Sequence, residues 1–178
     1  MAMAFPLLLV LLLFVFPTFF PFTTQDAVLL DNVCKQTDAY GLCVSALLSD
    51  PRSPGADLRG LALVSIDLVL ENLTDTRAAI GELLKSASDP NLKETLGQCR
   101  FLYGEQKATQ YALSAFRSWK SMAYDDMSSQ ANDVGYFASV CQNIFDQWGI
   151  HPSPLGPRND NLVHLTEITT VIGRMLTK

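Results

Sequence analysis

Three carboxylates at four-residue intervals are the first candidates for chemistry in this sequence. Asp67, Glu71 and Asp75 would lie on one face of a helix, where neighbouring carboxyl groups can act as general acid and general base. Charged residues at helical spacing more often form a solvated face, and we adopt that interpretation. His164 is interpreted as a surface or packing residue, and the pair Asp125–Asp126 as a helix start, where the helix dipole favours acidic groups.

Sequence motifs of known catalytic chemistry are missing from the chain. No G-x-S-x-G nucleophile elbow, P-loop, H-E-x-x-H or EF-hand pattern occurs anywhere in the 178 residues. A cysteine nucleophile would need a free thiol, and the four cysteines are better accounted for as bridges. We therefore predict a protein that is not an enzyme and needs no cofactor.

The four cysteines, Cys34, Cys43, Cys99 and Cys141, indicate two disulfides, because an even number behind a secretion signal is typical of an oxidising compartment. A zinc site is the weaker alternative. No cysteine pair has C-x-x-C spacing, and the histidines, at positions 151 and 164, lie outside H-x₃₋₅-H spacing. No metal is expected.

The N-terminal segment predicts secretion. Met1–Gln25 carries no charged side chain, and Leu7–Phe16 supplies the short apolar core of a signal peptide. We assign residues 1–25 to this signal, with cleavage between Phe22 and Ala27; a retained membrane anchor is the alternative. Residues 26–178 then form one domain without membrane attachment, expected as a monomer in the cell wall (apoplast) rather than the vacuole. Asn72 opens the chain's single N-x-S/T sequon and is a possible N-glycosylation site.

The charge balance argues against nucleic acid as a partner. The chain has a formal net charge of −5 at pH 7 and a pI near 4.9. No cluster of Lys and Arg is present that could neutralise phosphates.

The elements that must position these residues are helices, because apolar residues recur at spacings of three and four and no strand alternation is sustained. Long helices are predicted from about 57 to 85, 89 to 116, 125 to 148 and 159 to 176, the last beginning through Asn159–Asn161. Residues 27–48 contain two short apolar segments on either side of Lys35–Ala39, and these predict a small helical hairpin. The predicted fold is all-α: an antiparallel four-helix bundle preceded by a short N-terminal helical hairpin, with two disulfides.

The cysteine spacing favours one of the three possible pairings. Cys99 and Cys141 are equidistant from residue 120, within the predicted turn Trp119–Ala123, so they would lie level in an antiparallel helix pair. Cys34 and Cys43 similarly flank Thr37–Ala39. We therefore favour Cys34–Cys43 with Cys99–Cys141.

Six short motifs are distributed along the chain after the signal. They are Cys34-x₂-Thr37-x₂-Tyr40-x₂-Cys43 with Leu47, Asp50-Pro51, Asp57-Leu58, Asp89-Pro90-Asn91-Leu92-Lys93 with Leu96, Cys99 and Tyr103, the interval Tyr124–Cys141 with Phe145, and Leu162-x₂-Leu165-Thr166-x-Ile168. Together they resemble the plant invertase and pectin methylesterase inhibitor family. The resemblance covers essentially the whole chain after the signal, and within the family it is greatest to secreted pollen proteins named as invertase inhibitors.

The resemblance implies a secreted proteinaceous inhibitor of a plant carbohydrate-processing enzyme. The main expectation for the target is acid invertase (beta-fructofuranosidase), and the alternative is pectin methylesterase. In the invertase-inhibiting branch a Pro-Lys-Phe turn enters the target's cleft, and the matching positions here are Pro90, Asn91 and Leu92. Only the proline is retained, so the resemblance predicts weaker inhibition of invertase. Gly135 also departs from the usual run of Ser and Ala and costs about 1 kcal/mol relative to Ala within a helix.

Two functions of other classes compete with inhibition. A disulfide-linked helical protein could carry a small apolar ligand, although such carriers usually hold more cysteines in a shorter chain. A structural or storage-like protein without a specific target is the third hypothesis.

Overall fold

Seven helices make up the part of the chain that the structure, a computed structural model, describes: residues 24–178. They are α1 (Thr24–Cys34), α2 (Tyr40–Ser49), α3 (Leu58–Ser86), α4 (Pro90–Leu102), α5 (Ala108–Lys120), α6 (Tyr124–Gln147) and α7 (Gly156–Leu176). Residues 1–23, which hold most of the predicted signal peptide, lie outside this part. None of the described helices has the length and apolar character needed to cross a membrane.

The long helices pack as a closed ring around one apolar core. Helix α3 lies beside α4 and α5, these lie beside α6, α6 lies beside α7, and α7 returns to α3. The hairpin of α1 and α2 packs against α7 and α3, with Leu30, Val33 and Leu47 buried at its base. The predicted all-α fold, a four-helix bundle with an N-terminal helical hairpin and two disulfides, is confirmed.

The first bundle helix has the boundaries that its local sequence predicts. The side chain of Asp57 accepts a hydrogen bond from the backbone N–H of Gly60 at 2.7 Å and caps α3. The helix then continues for 29 residues, and its buried stripe includes Leu61, Leu73 and Ile80. This long helix provides one wall for both the hairpin and α7.

The second bundle helix is not continuous, so the prediction of one helix from 89 to 116 is wrong. Helix α4 ends at Leu102 and α5 begins at Ala108. Tyr103 is fully buried, and its carbonyl accepts a hydrogen bond from the hydroxyl of Thr109 at 2.8 Å instead of continuing the helix. At Gly104 an added Cβ would come within 3.0 Å of the Phe101 carbonyl oxygen, which accounts for glycine at the break. Tertiary burial of Tyr103 thus overrides a helical periodicity that extends past it.

The last helix begins at Gly156, three residues before the predicted start at Asn159. Asn159 is buried inside the first turn, where its Oδ1 accepts a hydrogen bond from the Tyr103 hydroxyl at 2.7 Å. Its Nδ2 donates to Oε1 of Gln142 at 3.1 Å. Burial raises the pKa of Tyr103 well above its ordinary value, so this hydroxyl stays a donor. These bonds join α7 to α6 and to the α4–α5 break.

Helices α6 and α7 approach closely because two positions between them are glycine. A Cβ on Gly135 would lie 2.5 Å from Oγ1 of Thr166. A Cβ on Gly173 would clash with the Ser128 hydroxyl and lie 3.0 Å from the Tyr124 carbonyl oxygen. Gly135 lowers the helix propensity of α6, but it lets α6 pack closer to α7 than a residue with a Cβ would allow.

The substitution Gly173→Ala is expected to lower the free energy of unfolding by about 1–3 kcal/mol, because the Tyr124 backbone cannot rotate away from the added methyl group. Gly81→Ala is the matched control: this glycine lies within α3, and apart from the adjoining residues and backbone of its own helix nothing lies within 4 Å of an added Cβ. That control should gain up to about 1 kcal/mol from helix propensity. Urea unfolding followed by circular dichroism measures both changes, and equal effects of the two substitutions would contradict the close-approach explanation.

Candidate functional site

The three carboxylates at helical spacing do not form a catalytic group. Asp67 is ion-paired with Arg52, with 2.8 Å between its Oδ2 and Nη1 of the guanidinium. Arg52 also bonds Asp50 through Nη2 at 2.5 Å, and this hydrogen bonding holds the pKa of Asp50 below its ordinary value. Glu71 and Asp75 line a surface groove. Asp67 thus fastens the α2–α3 connection to α3, and the acidic row divides into separate structural roles.

His164 lies on α7 next to the hairpin. Its Nδ1 is 3.7 Å from Oε2 of Glu167, too far for a hydrogen bond. Oε1 of the same Glu167 accepts the backbone N–H of Asp38 at 2.9 Å, which anchors the turn between α1 and α2. Within residues 24–178 no three His, Cys, Asp or Glu side chains are placed to share a metal ion.

Both disulfides fasten neighbouring elements. Cys34–Cys43 closes the hairpin, and Cys99–Cys141 joins α4 to α6 inside the bundle, with all four residues fully buried. These are the pairs that the spacing favours. The Cys99–Cys141 bridge lies four residues before the helix break, so it fixes the position of α4 against α6 although α4 and α5 are separate helices.

The predicted contact residues Pro90 and Asn91 lie at one end of the bundle, where α3 passes into α4. We define the tip as residues 88–91, all of which are exposed. The Asp89 side chain accepts the backbone N–H of Leu92 at 2.7 Å, and Pro90 occupies the first helical turn. The tip is therefore short, held between α3 and α4 and restrained by its own cap.

Leu92 differs from the two residues before it, because its side chain is half-buried and packs against the core. Lys93, the next residue, is exposed in the first turn of α4. Side chains on a helix lean toward its N-terminus, so Lys93 is the cation nearest the tip within α4. Lys93 is part of the motif Asp89–Lys93, but the correspondence with a Pro-Lys-Phe turn covers positions 90–92 only and so assigned it no role.

A second exposed surface lies on the sides of α4, α5 and α6. Its members, which we call the aromatic face, are Phe101, Lys107, Tyr111, Tyr136 and Phe137. The Lys107 Nζ lies 5.6 Å from the ring centre of Phe101 and 5.7 Å from that of Phe137. The Phe137 ring centre is 5.7 Å from that of Tyr111 and 5.8 Å from that of Tyr136. Phe101 and Tyr136 remain 58% and 62% exposed, so this face offers aromatic area for contact.

The fold, its two disulfides and its exposed tip define a small, disulfide-linked helical bundle protein. Residues 28–172 match the family described as plant invertase/pectin methylesterase inhibitor, and the chain belongs to this family.

Individual relatives carry both kinds of inhibitor name. "Cell wall / vacuolar inhibitor of fructosidase 2" from Arabidopsis thaliana is 35% identical over 146 residues, 78% of this chain and 77% of that protein. "Pectinesterase inhibitor" from Actinidia deliciosa is 30% identical over 170 residues, 95% of this chain and 91% of that protein. The crystal structure of a mutant pectin methylesterase inhibitor from Arabidopsis has the same fold, with a TM-score of 0.72 at 19% identity over 82% of this chain and 95% of that chain.

Proposed function

We propose that the protein is a secreted inhibitor of acid invertase that places its tip in the cleft of the target. The observation that carries this proposal is the exposed, internally capped turn of residues 88–91, where α3 passes into α4 at one end of the bundle. A segment that is already ordered loses little conformational entropy when it enters a cleft. The fructosidase inhibitor at 35% identity supports invertase as the target.

In this mechanism the protein takes no part in bond making. Pro90 and Asn91 occupy the space that the substrate needs, and the flanking helices are too broad to follow them into the cleft. The inhibitor acts as a monomer, without metal or cofactor, in the cell wall. Signal cleavage at the end of residues 1–25 releases residues 26–178 as the active domain.

The electrostatics of the tip set the expected strength of binding. Retaining glycoside hydrolases use a pair of carboxyl groups at the reacting centre, so a cation on the inhibitor favours contact with such a cleft. Here Asn91 is neutral and the Asp89 carboxylate is negative, whereas Lys93 is exposed one helical position beyond Leu92. Lys93 supplies part of the attraction from the rim of the cleft.

The direct test is inhibition of a plant acid invertase by the purified protein, with sucrose varied at fixed inhibitor concentration. We expect the apparent KM to rise while kcat stays unchanged, as competition for the cleft requires. Pectin methylesterase is assayed in parallel with the same preparation. Inhibition of pectin methylesterase without inhibition of invertase would overturn the proposed target.

The alternative target, pectin methylesterase, is supported by the pectinesterase inhibitor from Actinidia deliciosa at 30% identity, and the aromatic face offers a second surface for contact with a target. Exposed aromatic residues beside a cation are typical of contact surfaces between proteins. If this face binds the target, Tyr136→Ala will weaken inhibition and changes at the tip will not. If the tip binds the target, changes at the tip will weaken inhibition and Tyr136→Ala will not.

A further inference from the structure

A groove runs between the hairpin and the bundle, with a volume of about 300 Å³. Helices α2 and α3 form its two walls, through residues spaced three and four apart, and α7 closes one side. The lining combines apolar side chains with polar groups: Leu42, Ser45, Ala46, Ser49, Leu68, Glu71, Asn72, Asp75, Asn161 and Leu165.

Asn72 lies in this groove and opens the sequon Asn72-Leu73-Thr74. Its Oδ1 accepts a long hydrogen bond from the Thr76 hydroxyl at 3.4 Å, and the side chain is half-buried. No described group accepts a hydrogen bond from the Asn72 Nδ2. The buried side-chain atoms without a partner in residues 27–178 are Oγ1 of Thr95 and Nδ1 of His164, so the Asn72 Nδ2 is not buried. This nitrogen is therefore open to the solvent of the groove.

We propose that Asn72 carries an N-linked glycan whose first N-acetylglucosamine lies in the groove and joins α2 to α3. The proposal rests on the proposed secretion, because this modification occurs as the chain enters the secretory pathway. It does not depend on which enzyme the protein inhibits.

The transfer uses a polyprenyl-diphosphate-linked oligosaccharide as the donor. The Nδ2 of Asn72 forms a bond to C1 of the first sugar, while the bond between C1 and the diphosphate oxygen breaks. The diphosphate leaves with the electron pair, and the amide nitrogen loses one proton. Transfer takes place on the unfolded chain, so the later position of Asn72 within α3 does not prevent it.

The lining of the groove suits this sugar. Leu42, Leu68 and Leu165 provide apolar surface for the sugar ring and the acetyl methyl group. Ser45 and Asn161 provide hydrogen-bonding groups for hydroxyls and for the acetamide. Because the groove is open to solvent, the following sugars extend outward from the protein.

A first sugar bound in the groove would stabilise the packing of α2 against α3. In α2 only Cys43 and Leu47 are buried, so this helix belongs to the less firmly held part of the fold. A sugar bonded to α3 and packed on α2 adds contacts that must be broken before α2 can leave the bundle. Asn72 lies 14 residues before the end of α3, about 21 Å along the helix from that end, and the tip lies beyond it, so the glycan leaves the tip free.

The test compares glycosylated and unglycosylated forms of the protein secreted from eukaryotic cells. Thr74→Ala removes the sequon and retains Asn72, whereas Thr74→Ser retains the sequon and is the matched control. Wild type and Thr74→Ser should each carry one glycan at Asn72, detected by mass spectrometry, and Thr74→Ala should carry none. Each form is made with its own N-terminal segment and with an independent secretion signal before residue 26.

Amide hydrogen exchange of residues 40–49 tests whether the first sugar lies in the groove. We expect exchange about 5-fold slower in the glycosylated protein than in Thr74→Ala. Trimming the glycan to one N-acetylglucosamine should preserve this protection, and complete enzymatic removal should abolish it.

Three outcomes separate the claims. Secreted wild-type protein without a glycan would overturn the modification at Asn72. A glycan that leaves the exchange of α2 unchanged would overturn its seat in the groove. If the protein is glycosylated when it is made with the independent signal, but not when it is made with its own N-terminal segment, the glycan at Asn72 is supported and the proposed secretion by residues 1–25 is contradicted.

Discussion

Replacement of both Cys99 and Cys141 by alanine should lower the free energy of unfolding by about 4 kcal/mol. The bridge closes a loop with a sequence separation of 42 residues, and its loss frees that loop in the unfolded chain. In the folded protein the bridge is the covalent link between α4 and α6, at a position where both cysteines are fully buried. Denaturant unfolding of wild type and the double variant, each monitored by circular dichroism, measures the difference.

The matched comparison is replacement of both Cys34 and Cys43 by alanine. This loop has a sequence separation of only 9, for which the same chain-entropy relation gives about 3 kcal/mol. The smaller loss should be concentrated in α1 and α2, since the bridge lies within the hairpin. A loss below about 1 kcal/mol for the Cys99–Cys141 variant would contradict the chain-entropy account of this bridge.

The substitution Asn91→Lys should strengthen inhibition of acid invertase about 10-fold, equivalent to about 1.4 kcal/mol. The new ammonium group would stand beside Pro90 at the exposed tip, where it can face the carboxyl groups of the cleft. Adding Leu92→Phe should contribute less, because Leu92 already packs partly against the core. The inhibition constant for sucrose hydrolysis, measured at two ionic strengths, tests this result.

Two controls separate the tip from general charge. Asn132→Lys makes the same change at an exposed position of α6 and should leave inhibition within about twofold of wild type. Pro90→Ala keeps the charge but loosens the first turn, and should weaken inhibition. Two variants decide the question: the double variant Asn91→Lys with Leu92→Phe, and the single variant Pro90→Ala. If both are folded and both inhibit as strongly as the wild type, the tip is not the inhibitory element and a helix face is favoured.

The part of the architecture that could be predicted from sequence depends on neighbouring residues. Apolar spacing of three and four, together with the Asp57 and Asp89 caps, specifies where helices begin and which face is buried. Turn-centred spacing of the cysteines likewise places level pairs on adjacent helices. The apolar spacing and the caps act within one or two helical turns, so they can be read without knowledge of the rest of the fold. The cysteine argument needs only one further assumption, that the two helices on either side of a turn are antiparallel neighbours. The inhibitory role of Pro90, Asn91 and Leu92 stays a prediction, because its outcome depends on a second protein.

What only the tertiary structure decided depends on residues far apart in the chain. The break after Leu102 follows from burial of Tyr103 against Asn159, 56 positions away. The role of Gly173 follows from Tyr124 on another helix, and the pairing of Asp67 follows from Arg52 across the α2–α3 connection. The Asn72 sequon is visible in the sequence, but its groove exists only where α2 folds back onto α3 and α7. Periodicity records which face of a helix is apolar, whereas close approach and polar burial depend on which distant side chains meet that face.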